Sequence, residues 1–479
     1  MNIRESANNS LEHISATQWK LLSQDEREAL VRLIRDRERQ NGSSRRRAVE
    51  VSRNFLRRVE GLKVSRPSYS KRELALRYSP QDVADALVPN RRKLWRLVHR
   101  RKPHTTVFAR EFSFIDNPAG TVKTLREIIN AESSAYRFDI DFEDHDVLDA
   151  SPFLLMTACI PVLRRFWQSG YMNPQTQSVL RAMHLDQHLG LKLPHARQTK
   201  TIYPFPLRTL PPGSLSSRDT AAQISRREKV QADLIECING WLNELTPPFE
   251  LTEKAEVALG DSIGETLCNA QRHSDAEQTG GWWIGGFMKK HQGENGAVRQ
   301  VCHLAIFNVG ESIAHTLMRS PQKNERFWPL FNGYKQLHPH VPDELCATIC
   351  AIQDGVSRNG YDHIGEGCGL GLQDLITNIG ALASTKAPTA PGITIWSGKS
   401  CLLFRDNYLL SQIAGVDVPR QQWFNAAQSP NMPPDERHAF VLDCELPGTL
   451  IAIRFEIDVK DLEELDDETG EQDGPSKID

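Results

Sequence analysis

The sequence predicts an α/β protein with a helical N-terminal region, a middle α/β region and a C-terminal α/β domain. Three observations carry this reading. Up to about residue 100 the apolar residues recur at helical spacing, and after Lys102-Pro103 short β-type runs alternate with helical ones. Beyond residue 245 come a helix with a polar face, a hairpin-like pair of runs and a glycine-rich helix start.

In the first region Leu21, Leu22, Leu30, Leu33 and Ile34 fit a 3.6-residue period. Arg66-Pro67-Ser68 marks a break, and Ser79-Pro80-Gln81-Asp82 has the form of a helix start. Residues 105–108 and 136–142 read as strands, with helices over 122–130 and 153–166. Pro204, Pro206, Pro211, Pro212 and Gly213, running into Ser214-Leu215-Ser216-Ser217, read as a linker, followed by a helix over about 220–245. Residues 281–290 and 301–308 read as a hairpin whose turn is 292–296. The chain therefore divides into 1–103, 104–213, a linker helix 214–244, 245–457 and a tail 458–479. No internal repeat or sustained heptad run interrupts this order.

Charge is distributed unevenly behind a net value of −3. Residues 1–103 carry 25 Lys or Arg against 12 Asp or Glu, whereas 458–479 carry 10 acids against two lysines. The tail is expected to be disordered. The basic runs 35–47 and 90–102 suit nucleic acid or an acidic partner surface, and equally a solvated helix face or the chain's own acidic parts. No apolar run approaches the roughly 20 residues of a membrane span, and the first residues lack the regions of a signal peptide. A cytoplasmic protein is expected, with no membrane partner. The nine cysteines are scattered without a C-x-x-C pair, which points to a reduced compartment and no zinc site; Cys346 and Cys350 fit one helix face as packing residues.

Glu265, Asn269 and His273 recur at every fourth residue, so a helix stacks them on one face. A carboxylate can act as general base toward water, an amide oxygen is a hard ligand for Mg²⁺, and an imidazole can reach a phosphate. Alone, the same spacing suits an amphipathic helix with a solvated polar side. Downstream, a strand-like run ends in Asn308-Val309-Gly310-Glu311-Ser312, where an amide oxygen could accept from an adenine amino group and Gly310 could lie under the base. Gly365-Glu366-Gly367-Cys368-Gly369-Leu370-Gly371 then opens a helical pattern, an arrangement suited to holding phosphates on backbone N–H groups. A last strand starts at Gly448-Thr449. Residues 392–400 mimic a P-loop but place five residues between the glycines where four are required, and they read as a strand with Lys399 at its end.

In this order the four segments resemble the N box, the two glycine boxes and the closing Gly-Thr strand of the GHKL ATPase superfamily (gyrase, Hsp90, histidine kinases, MutL), over about residues 245–457. The resemblance implies a Bergerat-type α/β sandwich binding ATP and Mg²⁺ beneath a mobile lid. It implies Asn269 as metal ligand, Glu265 as catalytic base and His273 near phosphate or lid. It places Asn308, Gly310 and Thr449 at the adenine, and Gly365, Gly367, Gly369, Leu370 and Gly371 on the phosphate side. Two departures stand out: Asn308 replaces the usual aspartate, and Ser312 stands where a second glycine is common. Residues 314–364, including Phe327-Trp328-Pro329, would form an unusually long lid.

Residues 138–142 with 147–155 resemble the strand-turn-helix of STAS domains, the partners of anti-sigma-factor serine kinases, over about residues 104–200. Ser151 lies near the phosphorylated serine of those partners, and it also fits a helix N-cap before Pro152. The expected function is an ATP-hydrolysing conformational switch controlling a partner protein or a homodimer, with Glu265 activating water. Alternatives are a protein kinase acting on serine or histidine, and a non-hydrolysing ATP-binding adaptor that contacts nucleic acid. Residues 220–245 contain no histidine, which counts against autophosphorylation there.

Overall fold

The computed structural model describes residues 19, 21–40, 51–52, 55–56, 82–91, 105–134, 138–163, 167–191, 193, 201–210, 220–245, 247–272, 281–292, 298–319, 324–353, 355–356, 371–384, 390–405, 407–410 and 421–464. It is a mixed α/β protein whose contacts separate residues 1–77 from residues 78–479. Among the described residues no helix is long and apolar enough to cross a membrane.

In the first unit, α1 (Gln24–Gln40) starts at a capping box. The Glu26 N–H donates to Ser23 Oγ (3.3 Å) and the Ser23 N–H donates to Glu26 Oε2 (2.8 Å), so two otherwise orphaned donors are satisfied reciprocally. Its apolar face buries Leu30 and Ile34 with Trp19 and Phe55, whose rings meet edge to face at 5.4 Å. Leu21 lies before the helix and is exposed.

The second unit begins with α2 (Asp82–Leu87), β1 (Thr105–Ala109), α3 (Pro118–Ser134), β2 (Phe138–Phe142), α4 (Ser151–Leu163), β3 (Trp167–Ser169), α5 (Pro174–Ala182) and α6 (Leu185–Leu189). The three strands pair in parallel in the order β1-β2-β3. Then follow β4 (Ile202–Leu210), α7 (Thr220–Leu242), β5 (Phe249–Leu251), α8 (Glu253–Arg272), β6 (Trp282–Gln292), β7 (Val298–Val309), α9 (Ile313–Met318), α10 (Phe327–Leu337) and α11 (Asp343–Ala351). The chain continues through α12 (Gly371–Leu382), β8 (Gly392–Arg405), α13 (Asn407–Leu410), β9 (Ala439–Glu456) and β10 (Leu462–Glu464). The main sheet is antiparallel throughout, in the order β4-β6-β7-β9-β8.

Both faces of this sheet are covered. On one, Ile284, Leu304, Ile306, Ile393, Ile395, Ile451 and Ile453 pack with the apolar sides of α7, α8 and α12. On the other lies α4, which touches β6, β7 and β9. Its sequence SPFLLMTACIPVL has no polar side, and Phe153, Leu154, Leu155 and Met156 are all buried. A helix that is apolar all round must be enclosed, and α4 is enclosed between the main sheet and α3.

Two ion pairs fasten the second face. Arg454 on β9 makes a bidentate pair with Asp116 (2.6 and 2.8 Å), and Lys289 on β6 pairs with Asp146 and donates to Gln175 Oε1 (3.0 Å). Burial alone would raise the Asp116 carboxyl, but Arg454 and Ser113 outweigh it and hold the group below its ordinary range. Burial lowers the Lys289 ammonium to about 8.

Four expectations need correction. The proline-rich stretch is no linker up to residue 210: Pro204 and Pro206 lie in β4, the edge strand, where a missing N–H costs no central ladder bond, and the register shifts between Phe205 and Arg208. Residues 211–219 lie outside the described residues. The acidic tail is structured to Glu464, because β10 pairs with β5 and the Thr252 N–H donates to Asp461 O (3.0 Å). The residues 82–87, expected with the N-terminal region, pack on β9 in the second unit. Finally, Ser151 is the first helical residue rather than the cap. It is buried, and its N–H (2.6 Å) and hydroxyl both donate to Asp149, whose other oxygen accepts from the Ile115 N–H (3.3 Å). In this arrangement the Ser151 hydroxyl is closed to a kinase.

Asp116→Asn should destabilise the protein by about 1–3 kcal/mol, less than the loss of a fully buried pair, because Asp116 is 36% exposed although Arg454 is only 10% exposed. The folded carboxyl titrates below its unfolded value, so its contribution is complete above about pH 4 and is lost as pH falls through the folded pKa. Urea denaturation of both forms should show the difference at pH 7 and its narrowing in acid.

Candidate functional site

Side chains on a strand alternate between faces, so the register of the main sheet decides which predicted residues meet. The even-numbered residues of β7, Cys302, Leu304 and Ile306, face the α7–α8–α12 layer, and Asn308 continues that series. On β9 the series Phe455, Ile453, Ile451 leads to Thr449, and on β8 Ile393 and Ile395 lead to Ser397. Asn308 pairs with Thr449 and Trp282, and Thr449 pairs with Ser397. Two apolar rows, Leu304–Ile453–Ile393 and Ile306–Ile451–Ile395, thus give way at one sheet end to the row Trp282–Asn308–Thr449–Ser397.

Three members of this row are buried, Trp282 and Ser397 at 0% exposed and Asn308 at 8%, and Thr449 is half-buried. Ser397 Oγ accepts from the Ile313 N–H (2.8 Å), donates to Gly448 O (3.2 Å) and lies 2.8 Å from Thr449 Oγ1. By contrast the side-chain amide of Asn308 makes no hydrogen bond to a described residue, and the Trp282 indole N–H is buried without a partner among them. Buried polar atoms without partners are uncommon in folded proteins and mark a place where a ligand could supply them.

Close packing of backbone sets the shape here. Gly310 N–H donates to Pro447 O (3.3 Å), holding the end of β7 against the turn that begins the last part of β9. Gly448 has φ +120°, and a Cβ on it would stand 1.9 Å from Asn308 O. Only glycine allows β7 and β9 to approach this closely at that point. Ser312 has a local role: its Oγ accepts the His315 N–H (3.2 Å) as N-cap of α9.

Glu265 and Asn269 lie on α8, which packs against β6 and β7, and both are half-buried. Neither makes a hydrogen bond or ion pair among the described residues. Side-chain amides on the neighbouring helices brace α8. Asn378 Nδ2 on α12 reaches Ser262 Oγ (2.8 Å) and Ala258 O (3.2 Å), and Gln231 Nε2 on α7 reaches Gly260 O (2.7 Å). Asn239 bridges α7 to Glu256 (2.5 Å) and to the Leu251 N–H (3.0 Å). His273, Gly365, Gly367, Gly369 and Leu370 lie outside the described residues, and Gly371 is the first residue of α12. The structure therefore brings Asn308, Gly310 and Thr449 together and puts Glu265 and Asn269 on a helix of the layer that covers them.

The expected long lid is largely core. Phe327, Phe331, Tyr334, Leu345, Ile349 and Cys350 of α10 and α11 belong to the main hydrophobic cluster. Gln353 donates from Nε2 to Gln422 O (2.8 Å) and accepts the Gln422 N–H (2.9 Å), and His338 Nε2 contacts Pro430 O (2.8 Å). A segment so rich in buried aromatics cannot swing freely; of the expected lid, residues 320–323, 354 and 357–364 lie outside the described residues. Lys399 is exposed within β8 rather than at its end, and its N–H donates to Glu344 Oε1 (2.6 Å). The sequence reading missed Ser397 and Trp282, one hidden in the P-loop mimic and the other in the first strand of the expected hairpin.

Comparison with known proteins returned no match to a family model, a curated protein or a solved structure. The case for function rests on the site itself.

Gly448→Ala should cost about 2–3 kcal/mol, because its conformation is strained for alanine and the added carbon meets backbone rather than a yielding side chain. Urea denaturation checks the loss, and hydrogen exchange should quicken at the Gly310 amide, which the displaced strand would release.

Proposed function

We propose that this chain is a nucleotide-binding protein, with the ligand's base at the Asn308–Thr449 end of the main sheet and its phosphates toward α8 and the start of α12. More particularly, it acts as an ATP-dependent conformational switch of the GHKL type that hydrolyses ATP to reset itself. The observation that carries this reading is the polar row, which ends two apolar rows beneath the helix bearing Glu265 and Asn269.

The chemistry of the donors fits. Asn269 offers an amide oxygen, a hard ligand of the kind Mg²⁺ takes while triphosphate oxygens and water complete its shell, and Glu265 offers a carboxylate as base. Among the described residues no group of three His, Cys, Asp or Glu could hold a metal, and a nucleotide-borne Mg²⁺ does not require one. When bound, the ion would neutralise phosphate charge. Asn269 would hold it, and Glu265 would take the proton from the attacking water. The stretch 365–371, with its repeated glycines, would wrap the phosphates with backbone N–H groups.

The switch reading is favoured over a kinase because α7 is part of the fold it would have to leave. Val230, Leu234, Ile238, Trp241 and Leu242 of that helix are buried in the main core, and the helix carries no histidine. The buried Ser151 adds no phosphoacceptor. The partner of the switch is a protein or a second copy of the chain; the basic residues of the N-terminal region remain a separate proposal for nucleic acid.

Titrating the full chain with ATP and Mg²⁺ by calorimetry, with phosphate release followed in parallel, tests this. Asn269→Ala should weaken Mg²⁺-dependent ATP binding by at least about tenfold, the loss of about 1.4 kcal/mol of ligand interaction. Glu265→Ala should keep binding and lose about 100-fold or more in turnover, within the range for a general base. No measurable ATP binding by the wild type sinks the proposal; transfer of label to protein without phosphate release would make the chain a kinase.

A further inference from the structure

Asn308 leaves an ambiguity that a carboxylate at that position would not. A side-chain amide has an acceptor oxygen and a donor nitrogen and can turn either toward a purine. It can accept from the exocyclic amino group of adenine, or donate to the oxo group of guanine. Alone it does not choose, so its neighbours in the row must.

Thr449 and Ser397 can make the choice. Ser397 Oγ has one proton and two lone pairs. One lone pair is taken by the Ile313 N–H (2.8 Å), and the proton has a carbonyl acceptor in Gly448 O (3.2 Å). With the proton so committed, the remaining 2.8 Å contact is one in which the Thr449 hydroxyl donates to Ser397. Thr449 then presents only lone pairs to its surroundings. An oxygen without an available proton accepts from an amino group and repels an oxo group.

The geometry points to Ser397 as a positioning residue that fixes Thr449 as an acceptor, and thereby makes the Trp282–Asn308–Thr449–Ser397 row selective for a purine with an amino group at C6, adenine, over one with an oxo group there, guanine. The inference rests on the nucleotide-binding reading above. A second observation supports a ligand at this row: the indole N–H of Trp282, fully buried beside Asn308 in the register, has no partner among the described residues. It is a donor suited to a purine ring nitrogen, which both purines possess, so it adds affinity rather than choice. Ser397 further ties the row to the backbone at Ile313, so the loop after Gly310 and the threonine are set by one hydroxyl.

The test compares MgATP with MgGTP on the full chain by calorimetry for the wild type, Ser397→Ala, Ser397→Thr, Thr449→Val and the Ser397→Ala/Thr449→Val double variant. The wild type should prefer ATP. Ser397→Ala should weaken ATP by about tenfold and gain or keep GTP affinity, so that the ATP/GTP ratio falls, while Ser397→Thr, which keeps the hydroxyl, restores the ratio. Thr449→Val should lower the ratio as far, and the double variant should be no worse than Thr449→Val, because the two residues act through one bond. Thermal melting of each variant separates loss of fold from loss of selectivity, and if Ser397→Ala does not fold, Thr449→Val alone decides. An unchanged ratio in folded Ser397→Ala, or in Thr449→Val, overturns the inference and leaves nucleotide binding standing; absence of any nucleotide binding in the wild type overturns both.

Discussion

The antiparallel sheet β4-β6-β7-β9-β8 is buried on both faces, and the rest of residues 78–479 is arranged to meet that demand. An antiparallel sheet can leave one face to water, but here strands such as β8 and the later part of β9 are buried residue after residue. Without α4 the second face would expose Phe287, Phe307 and Leu450 together. Burying a second apolar layer brings two basic side chains, Lys289 and Arg454, out of water with it. Each is compensated by an aspartate from a loop of the parallel-stranded region, Asp146 and Asp116. A buried charge without its partner costs several kcal/mol, so the loops that carry these acids are fixed relative to the sheet by electrostatics as well as by packing.

Order on that face is what makes the opposite face usable as a site. The helices α7, α8 and α12 are braced by Gln231, Asn239 and Asn378 through hydrogen bonds to backbone and side-chain groups, which set the height and rotation of α8 over β6 and β7. Beneath them the sheet runs from apolar rows into one polar row. Its amide and its unpartnered indole lie within a rigid frame, so whatever occupies the row meets donors and acceptors that need little reorganisation.

What could be read from the sequence follows from the range of the forces involved. Periodicity revealed α7 and α8, and the apolar runs on either side of the glycine-containing turn revealed β6 and β7, because those signals are local. Asn308 and Thr449 were visible through motif context, although 140 residues separate them, and their pairing depends on register. Signals that depend on distant partners were misread. Pro204 and Pro206 speak against a strand until it is known that β4 lies at the edge; Phe327 and Phe331 looked like part of a lid until α10 was seen to pack into the core. Ser151 looked like a cap because Pro152 follows it, but its own N–H and hydroxyl are both donated to Asp149. Ser397 carried no local signal at all: a serine in an apolar run acquires its role only when β8 pairs with β9 and the loop at Ile313 folds back.

The neutral residue at 308 follows from the same constraint. Burial raises the cost of an ionised carboxylate steeply unless a cation or several donors stand close to it. Asp149 shows what that entails in this chain: desolvation pushes its carboxyl up, and hydrogen bonds from Ser113, Ser151 and Ile115 are needed to hold it. Around Asn308 the neighbours in the row are an indole, two hydroxyls already engaged with each other, and apolar strands. They offer no positive charge. An amide keeps an acceptor oxygen for a ligand while avoiding an ionised group there, and it adds a donor that a carboxylate lacks. Losing the charge also loses the one-sided preference for donors, which is why the hydroxyl pair beside it acquires importance: in a row with no charge, selectivity has to come from the direction of protons.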